Sequence, residues 1–305
     1  MWYCNDMDSA PPVTEGFTPE SKGLDTWDDQ SVLQSLHAGQ LRAIDAVGSA
    51  LPQIASAATL LAERLRAGGR LIYVGAGTSA RIAVQDGSEL PATFGMAEQR
   101  IVYLIAGGSA ALIETLAEAE DDTAAGERDA QVCGRADTVI AVAASGSTPY
   151  TVAAAQSAKK LGSVIIAVTC NAGTALNQLA DVSIVLISGP EVIAGSTRMG
   201  AGTAQKAALN LLSTLTHVRL GAVYDGLMVN VQADNAKLRQ RAQRIVCAIT
   251  GVPIERAAEA LAQAKGHVKP AALLCLGARS LAAAEELLSR HNGNLRLAMR
   301  HMAGP

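Results

Sequence analysis

Large rings are scarce in this 305-residue sequence: aromatic residues are 3% of it, with two Trp, two Phe and five Tyr. Alanine and glycine are plentiful instead, so helix–sheet contacts are expected to be built from small side chains in a compact fold rather than a disordered chain. An excess of positive charge is also missing. The formal net charge is −3, which leaves no electrostatic footprint for nucleic acid or an anionic membrane. The five cysteines (Cys4, Cys133, Cys170, Cys247, Cys275) are scattered and form no CxxC pair. That excludes a disulfide framework and fits a reduced, cytoplasmic interior. No run reaches the roughly 18–20 apolar residues of a membrane span. The opening MWYCNDMDSAPP has neither the basic nor the apolar region of a secretory signal. The five histidines (His37, His217, His267, His291, His301) show no metal-ligand spacing, and no GxxxxGK[ST] motif is present for a triphosphate.

What is present is alternation. Residues 1–29 are polar and proline-dotted and predict an extended arm whose apolar groups, Leu24 and Trp27, dock elsewhere. Apolar residues at helical spacing from Ser31 to Ala67, interrupted at Pro52, predict two helices. Five near-continuous β-branched runs follow, at 70–77, 100–108, 137–145, 163–171 and 181–188, as expected for strands buried on both faces. Alanine-rich helical stretches separate most of them. This pattern predicts an α/β fold with a doubly wound parallel sheet. A long helical stretch is expected from Met199 to Thr250, broken near Gly221. A boundary near Gly251 leaves three parts: an arm (1–29), an α/β domain with flanking helices (30–250) and a small helical subdomain (251–305).

Two glycine turns stand at neighbouring strand ends. GAGTSAR (75–81) also fits the GxGxxA dinucleotide pattern. A dinucleotide site wants an acidic residue after the second strand, and here that strand ends LIAGG. The third strand ends AASGSTPY (143–150), where Thr148 before Pro149 reads as an N-cap followed by proline at the first helical position. Strand, Ser/Gly/Thr turn and helix N-terminus together suit an anion, through free backbone N–H groups and the helix dipole. Two such turns would converge at the carboxyl edge of the sheet. The ligand inferred is a small phosphorylated molecule, not a nucleotide.

Acidic candidates lie nearby. Glu89, in QDGSELPATFG, follows the expected helix start at Ser79 by ten residues, and Gly87 and Pro91 predict an early break that puts it where the chain turns back. Glu118, Glu120, Asp121 and Asp122 form a second group in AEAEDD. Spacing alone does not choose among these four, and it leaves Glu89 open between an exposed helix-end residue and one at the pocket rim.

The motifs LIYVGAGTSAR, DGSELPATFG, EAEDD, AASGSTPY, GPEVIAGSTRMGAGTAQK and LMVNVQADNAKLRQRA, with the stretch from Thr14 to Trp27, resemble the N-acetylmuramic acid 6-phosphate etherase family in family order over nearly the whole chain. The resemblance implies a sugar isomerase (SIS) domain, a five-stranded, flavodoxin-like parallel sheet. It implies a carbon–oxygen lyase of peptidoglycan recycling that cleaves the D-lactyl ether to give N-acetylglucosamine 6-phosphate and D-lactate. It also implies a homodimer, with no metal or redox cofactor. The family's catalytic glutamates fall on Glu89 and Glu120. The phosphate contacts fall on Thr78, Ser79, Ser145, Ser147 and Thr148, with Ser196 and Thr197 as a further part of the pocket.

Three positions depart from the commoner pattern. Ala80 stands where glycine is usual, Ser147 where arginine is common, and Gly200 where lysine is usual. The chemistry needs a base for the carbon 2 hydrogen and an acid for the departing oxygen. Glu120 is expected to be the base and Glu89 the proton donor. Two rival functions share the fold: a non-catalytic sugar-phosphate sensor, which needs the turns but not the glutamates, and an aldose–ketose isomerase, which would release no lactate.

Overall fold

The computed structural model describes residues 12–231 and 235–303. Residues 1–11 of the N-terminal arm, with Cys4, and Gln232 to Asp234 of the LMVNVQADNAKLRQRA motif lie outside the described residues. The chain divides into two compact units, one of residues 1–87 and 101–212, the other of 88–100 and 213–305.

The first unit opens with α1 (Asp29–Ser49) and α2 (Leu51–Arg66). Asp28 caps α1 by accepting from the Ser31 backbone N–H at 3.0 Å. Pro52 stands in the first turn of α2, where its missing N–H costs nothing. Alternation follows: β1 (Leu71–Gly75), α3 (Gly77–Phe94), β2 (Ile101–Ile105), α4 (Thr123–Asp129), β3 (Thr138–Val142), α5 (Pro149–Lys160), β4 (Val164–Thr169), α6 (Ala175–Leu179), β5 (Val182–Val185) and α7 (Gly200–Arg219). By residue number the boundary between units falls inside α3 and α7.

The five strands pair in parallel in the order β2-β1-β3-β4-β5. The doubly wound sheet expected from the alternation is therefore present, and every expected run contains its strand. β1, β3 and β4 are buried along their whole length, which is why they read as unbroken apolar runs. Small residues set the layer spacing: a Cβ on Gly126 of α4 would fall 2.4 Å from the Tyr150 carbonyl of α5. At the opposite strand ends, Asp137 ties β1 to β3. It accepts from the Arg70 backbone N–H at 3.0 Å and from the Arg70 guanidinium at 3.1 and 2.7 Å.

Helix α3 departs from expectation. It runs through Gly87 and contains Pro91, rather than breaking early. Gly87 serves close approach instead. A Cβ there would strike the Tyr103 hydroxyl at 2.6 Å and the Tyr73 ring at 2.8 Å. Beside it the buried Tyr73 hydroxyl donates to Asp86 at 2.7 Å.

In the second unit, the expected long helix is interrupted by more than Gly221. A hairpin of β6 (Val223–Tyr224) and β7 (Leu227–Met228) intervenes. Its turn is Asp225–Gly226, both at positive φ (46° and 76°), the combination that a two-residue hairpin favours. Then come α8 (Ala236–Thr250), α9 (Ile254–Gln263), α10 (Val268–Cys275), α11 (Leu281–Arg290) and α12 (Leu295–Ala303). Residues on both sides of Gly251 share one core: Val246 of α8 packs in the same cluster as Ala257, Leu261, Ala272 and Leu288. Gly251, at φ 74°, is the exposed C-terminal cap of α8. Lys269 is almost fully buried in the first turn of α10 and donates to the Gly293 carbonyl at 2.7 Å. Burial pulls its ammonium down to about 8.

Candidate active site

β1 and β3 are neighbours, yet their connections diverge. β1 leads through α3 to β2 on one side, and β3 leads through α5 to β4 on the other. The carboxyl ends of β1 and β3 therefore flank the switch point of the sheet, the place where open α/β sheets leave a crevice. A cavity of about 420 Å³ lies there, lined by first-unit residues. Thr78 and Ser79 enter it from the start of α3, and Ser145 and Thr148 from the turn before α5.

The two turns offer donors rather than cations. α5 starts at Pro149 with Thr148 as its N-cap, as the sequence predicts, and the Thr148 side chain caps no backbone N–H. Its hydroxyl lies 3.4 Å from that of Ser145. First-turn N–H groups of α3 and α5 have no acceptor one turn back, which leaves them for a ligand. Ser79 is nearly buried and donates to Gln205 Oε1 at 3.0 Å. The Gln205 amide nitrogen, itself buried, has no partner among the described residues.

The other expected contacts divide. Thr197 lines the cavity, whereas Ser196 and Ser147 are not among its lining residues. Ser147 is exposed, and its backbone N–H donates to Ser145 Oγ at 3.2 Å, so it shapes the turn from outside. The start of α7 is already neutralised. Buried Glu191 accepts from the N–H groups of Gly200 and Ala201, both at 2.9 Å. A Cβ on Gly200 would meet Glu191 Oε2 at 3.1 Å, so a longer residue fits only if that carboxylate gives way.

Of the AEAEDD group, Glu120 reaches the cavity. Gly77 has φ 51°, and a Cβ on it would fall 2.6 Å from Glu120 Oε1. The carboxylate thus lies directly against the backbone of the first anion-type turn. Asp122 has a different task, capping α4 through the Ala125 N–H at 2.8 Å. Burial raises the Glu120 pKa above its ordinary value, Asp121 raises it further, and the Arg81 guanidinium opposes both. Glu89 belongs to the second unit and is exposed on α3. No group of three or more His, Cys, Asp or Glu among the described residues is placed to hold a metal ion.

Three charged lining residues escaped sequence reasoning: Glu15, Arg81 and Glu114. Glu15 arrives through the N-terminal arm. The neighbouring Thr14 is fully buried and accepts from Asn171 Nδ2 at 3.0 Å, and that same amide donates to the Ala144 carbonyl at 2.9 Å. The arm therefore docks beside the second turn through Thr14, with Leu24 and Trp27 only half-buried. Arg81 had a visible signal, a cation one helical turn after Thr78 on the same face of α3.

A family model described as the glucokinase regulatory protein N-terminal SIS domain matches residues 53–159. Among solved structures, a phosphoheptose isomerase from Francisella tularensis is 19% identical, with a TM-score of 0.49, covering 63% of this chain and 100% of that one. An N-acetylmuramic acid 6-phosphate etherase of Pectobacterium atrosepticum is 44% identical over 94% of this chain and 95% of its own length. One from Streptomyces avermitilis is 43% identical over 94% of this chain and 93% of its own. With identity at that level running nearly end to end in both directions, the chain belongs to the N-acetylmuramic acid 6-phosphate etherase family.

Proposed function

We propose that this protein cleaves the D-lactyl ether of N-acetylmuramic acid 6-phosphate, giving N-acetylglucosamine 6-phosphate and D-lactate. Glu120 packed against Gly77, inside a cavity walled by two phosphate-type turns, is the observation that carries this reading within the family. Thr78, Ser79, Ser145 and Thr148, with the backbone N–H groups behind them, hold the phosphate. Ser147, Ser196 and Thr197 support that pocket. A phosphate that takes the Ser79 proton frees Gln205 to turn its amide and donate in return.

An alkoxide is a poor leaving group, so direct displacement at an ether is slow. In the ring-opened sugar the hydrogen on carbon 2 lies α to the aldehyde, and the lactyl oxygen sits on carbon 3. Glu120 removes that hydrogen, and the electron pair is held as an enolate. Collapse of the enolate breaks the carbon 3–oxygen bond as a proton reaches the departing oxygen, the part that the resemblance gives to Glu89, which is not among the residues lining the cavity. Water then adds across the carbon 2–carbon 3 double bond, its oxygen to carbon 3, and a proton returns to carbon 2. Electrons balance without a redox partner. Half-burial raises the Glu120 pKa above its ordinary value and so strengthens it as a base. Anchoring the far phosphate fixes carbon 2 before it.

A homodimer fits the outer face of the first two helices. Leu33, Leu41 and Ile44 recur at helical spacing on α1 and are 65%, 52% and 45% exposed, and Leu51 of α2 is 50% exposed. Such a stripe suits a second copy of the chain. Light scattering on the purified protein tests this, and a monomer at all concentrations would refute it. Four described cysteines are unbonded, in keeping with a cytoplasmic site of action. No single helix among the described residues is long and apolar enough to cross a membrane.

Incubation with N-acetylmuramic acid 6-phosphate tests the function. Stoichiometric D-lactate and N-acetylglucosamine 6-phosphate are expected. Turnover of sugar phosphates without lactate would replace the reading by an isomerase, and binding without turnover by a sensor.

A further inference from the structure

The substrate assigned above carries two anions, a phosphate at one end and a carboxylate on the lactyl group at the other. The turns after β1 and β3 account for the first. The second has to enter a cavity lined by three glutamates, Glu15, Glu114 and Glu120. An unopposed carboxylate there would be repelled by all three.

One residue answers that charge. Arg81 is the single lysine or arginine among the residues lining the cavity. Its guanidinium is fixed from one side by the loop after β2. Nε donates to the carbonyls of Leu112 at 3.1 Å and Ala111 at 3.2 Å, and one terminal nitrogen donates to Ala111 and Glu114, both at 2.9 Å. The other terminal nitrogen, Nη1, has no acceptor among the described residues. The head is therefore oriented before any ligand arrives, with the N–H groups of Nη1 in hand to donate to a carboxylate oxygen at low entropic cost. Its place along the cavity is also defined. Arg81 lies one turn, about 4.5 Å, beyond Thr78 on α3. Its head is held on the 108–116 loop, which lines the cavity through Ala111, Glu114, Thr115 and Leu116, and not on either phosphate-type turn.

We propose that Arg81 binds the carboxylate of the lactyl group and so makes the cavity selective for a carboxyl-bearing ether over a plain sugar phosphate. This inference rests on the etherase reading. It gives the loop at 108–116 a role in specificity, because that loop's carbonyls aim the guanidinium.

Two unreactive ligands test it without chemistry. N-Acetylmuramitol 6-phosphate has an alcohol at carbon 1 and cannot eliminate, and its 3-O-ethyl counterpart lacks only the carboxylate. Calorimetry on the wild-type protein is expected to show the carboxylate ligand binding at least tenfold more tightly. In Arg81→Met that ratio should fall to within about twofold, with the affinity for the ethyl ligand changed less than threefold. Arg81→Lys, which keeps the charge and loses the carbonyl-held planar head, should fall between. A ratio near one in the wild type would overturn the proposal whatever the variants do. So would a ratio that survives in Arg81→Met, or equal losses for both ligands, which would leave Arg81 only as a tether for the loop. Lactate release by the wild type is scored separately, so failure of the etherase reading and failure of this one are distinguishable.

Discussion

The turns after β1 and β3 each hold a glycine in the left-handed region, Gly77 at φ 51° and Gly146 at φ 71°. Each leaves out a Cβ that a neighbour would strike, but the neighbours differ in kind. At Gly77 the obstacle is the carboxylate tip of Glu120, 2.6 Å from the missing atom. At Gly146 it is the body of Thr174, with Oγ1 at 2.2 Å, Cβ at 2.7 Å and Cγ2 at 2.8 Å. Thr174 is fixed as the N-cap of α6 by a reciprocal hydrogen-bonded box with Asn177. Two turns with similar sequences thus divide the work. One seats a carboxylate in the cavity, and the other locks its turn onto the next helix.

The sharpest way to break that contrast is to remove the carboxylate itself. Glu120→Gln should fold normally and lose about 10²–10⁴-fold in kcat, measured as D-lactate release. Normal turnover would show that Gly77 makes room for a bystander. Alanine at the two glycines comes next. Gly77→Ala is expected to cost about 10²-fold in activity, because a displacement of Glu120 on the order of 1 Å misaligns the base. Its stability should fall by only about 1 kcal/mol, the conformational penalty of a left-handed residue. Gly146→Ala should show the reverse emphasis. Strain and overpacking against a fixed threonine together cost about 2–4 kcal/mol, read as a lowered unfolding midpoint in urea. Equal losses of both kinds in both variants would erase the distinction.

Smaller effects follow. Thr148→Ala removes one donor to a charged group and should raise KM roughly tenfold or more while leaving kcat within a fewfold. A matching fall in kcat would move Thr148 from anchoring to chemistry. The pH profile gives the finest test. On the proposed mechanism Glu120 acts as a base when ionised, so activity is full above its pKa and falls as pH drops through it. Burial and Asp121 raise that pKa, so the acid limb of kcat/KM should lie above 4.5, the ordinary value for glutamate. Arg81 lowers it, so Arg81→Met should shift the limb to higher pH. A limb that stays in place would uncouple the two residues.

Much of the scaffold was legible because its signals are local. Buried parallel strands advertise themselves as unbroken apolar runs, and Thr148–Pro149 marks the start of α5 by cap chemistry alone. Gly87 misled because local reading assigns glycine to a break. Its actual reason, the two tyrosine rings of β1 and β2, lies elsewhere in the chain. The hairpin at Asp225–Gly226 carried its turn signal openly within what reads as a helical stretch. The cavity was half legible. Hydroxyl turns can be read from spacing, but the choice of Glu120 over Glu118, Asp121 and Asp122 depends on which side chain meets Gly77. Glu15 reaches the cavity only because Thr14 is pinned by Asn171, a pairing across 157 positions that no local pattern encodes.

The direct test of Glu120 as the base is hydrogen–deuterium exchange at carbon 2, followed by NMR of N-acetylmuramic acid 6-phosphate in deuterated water. Glu89→Gln should wash out the carbon 2 hydrogen while releasing little lactate, and Glu120→Gln should leave it untouched. Exchange at the same rate in Glu120→Gln as in the wild type would contradict the mechanism.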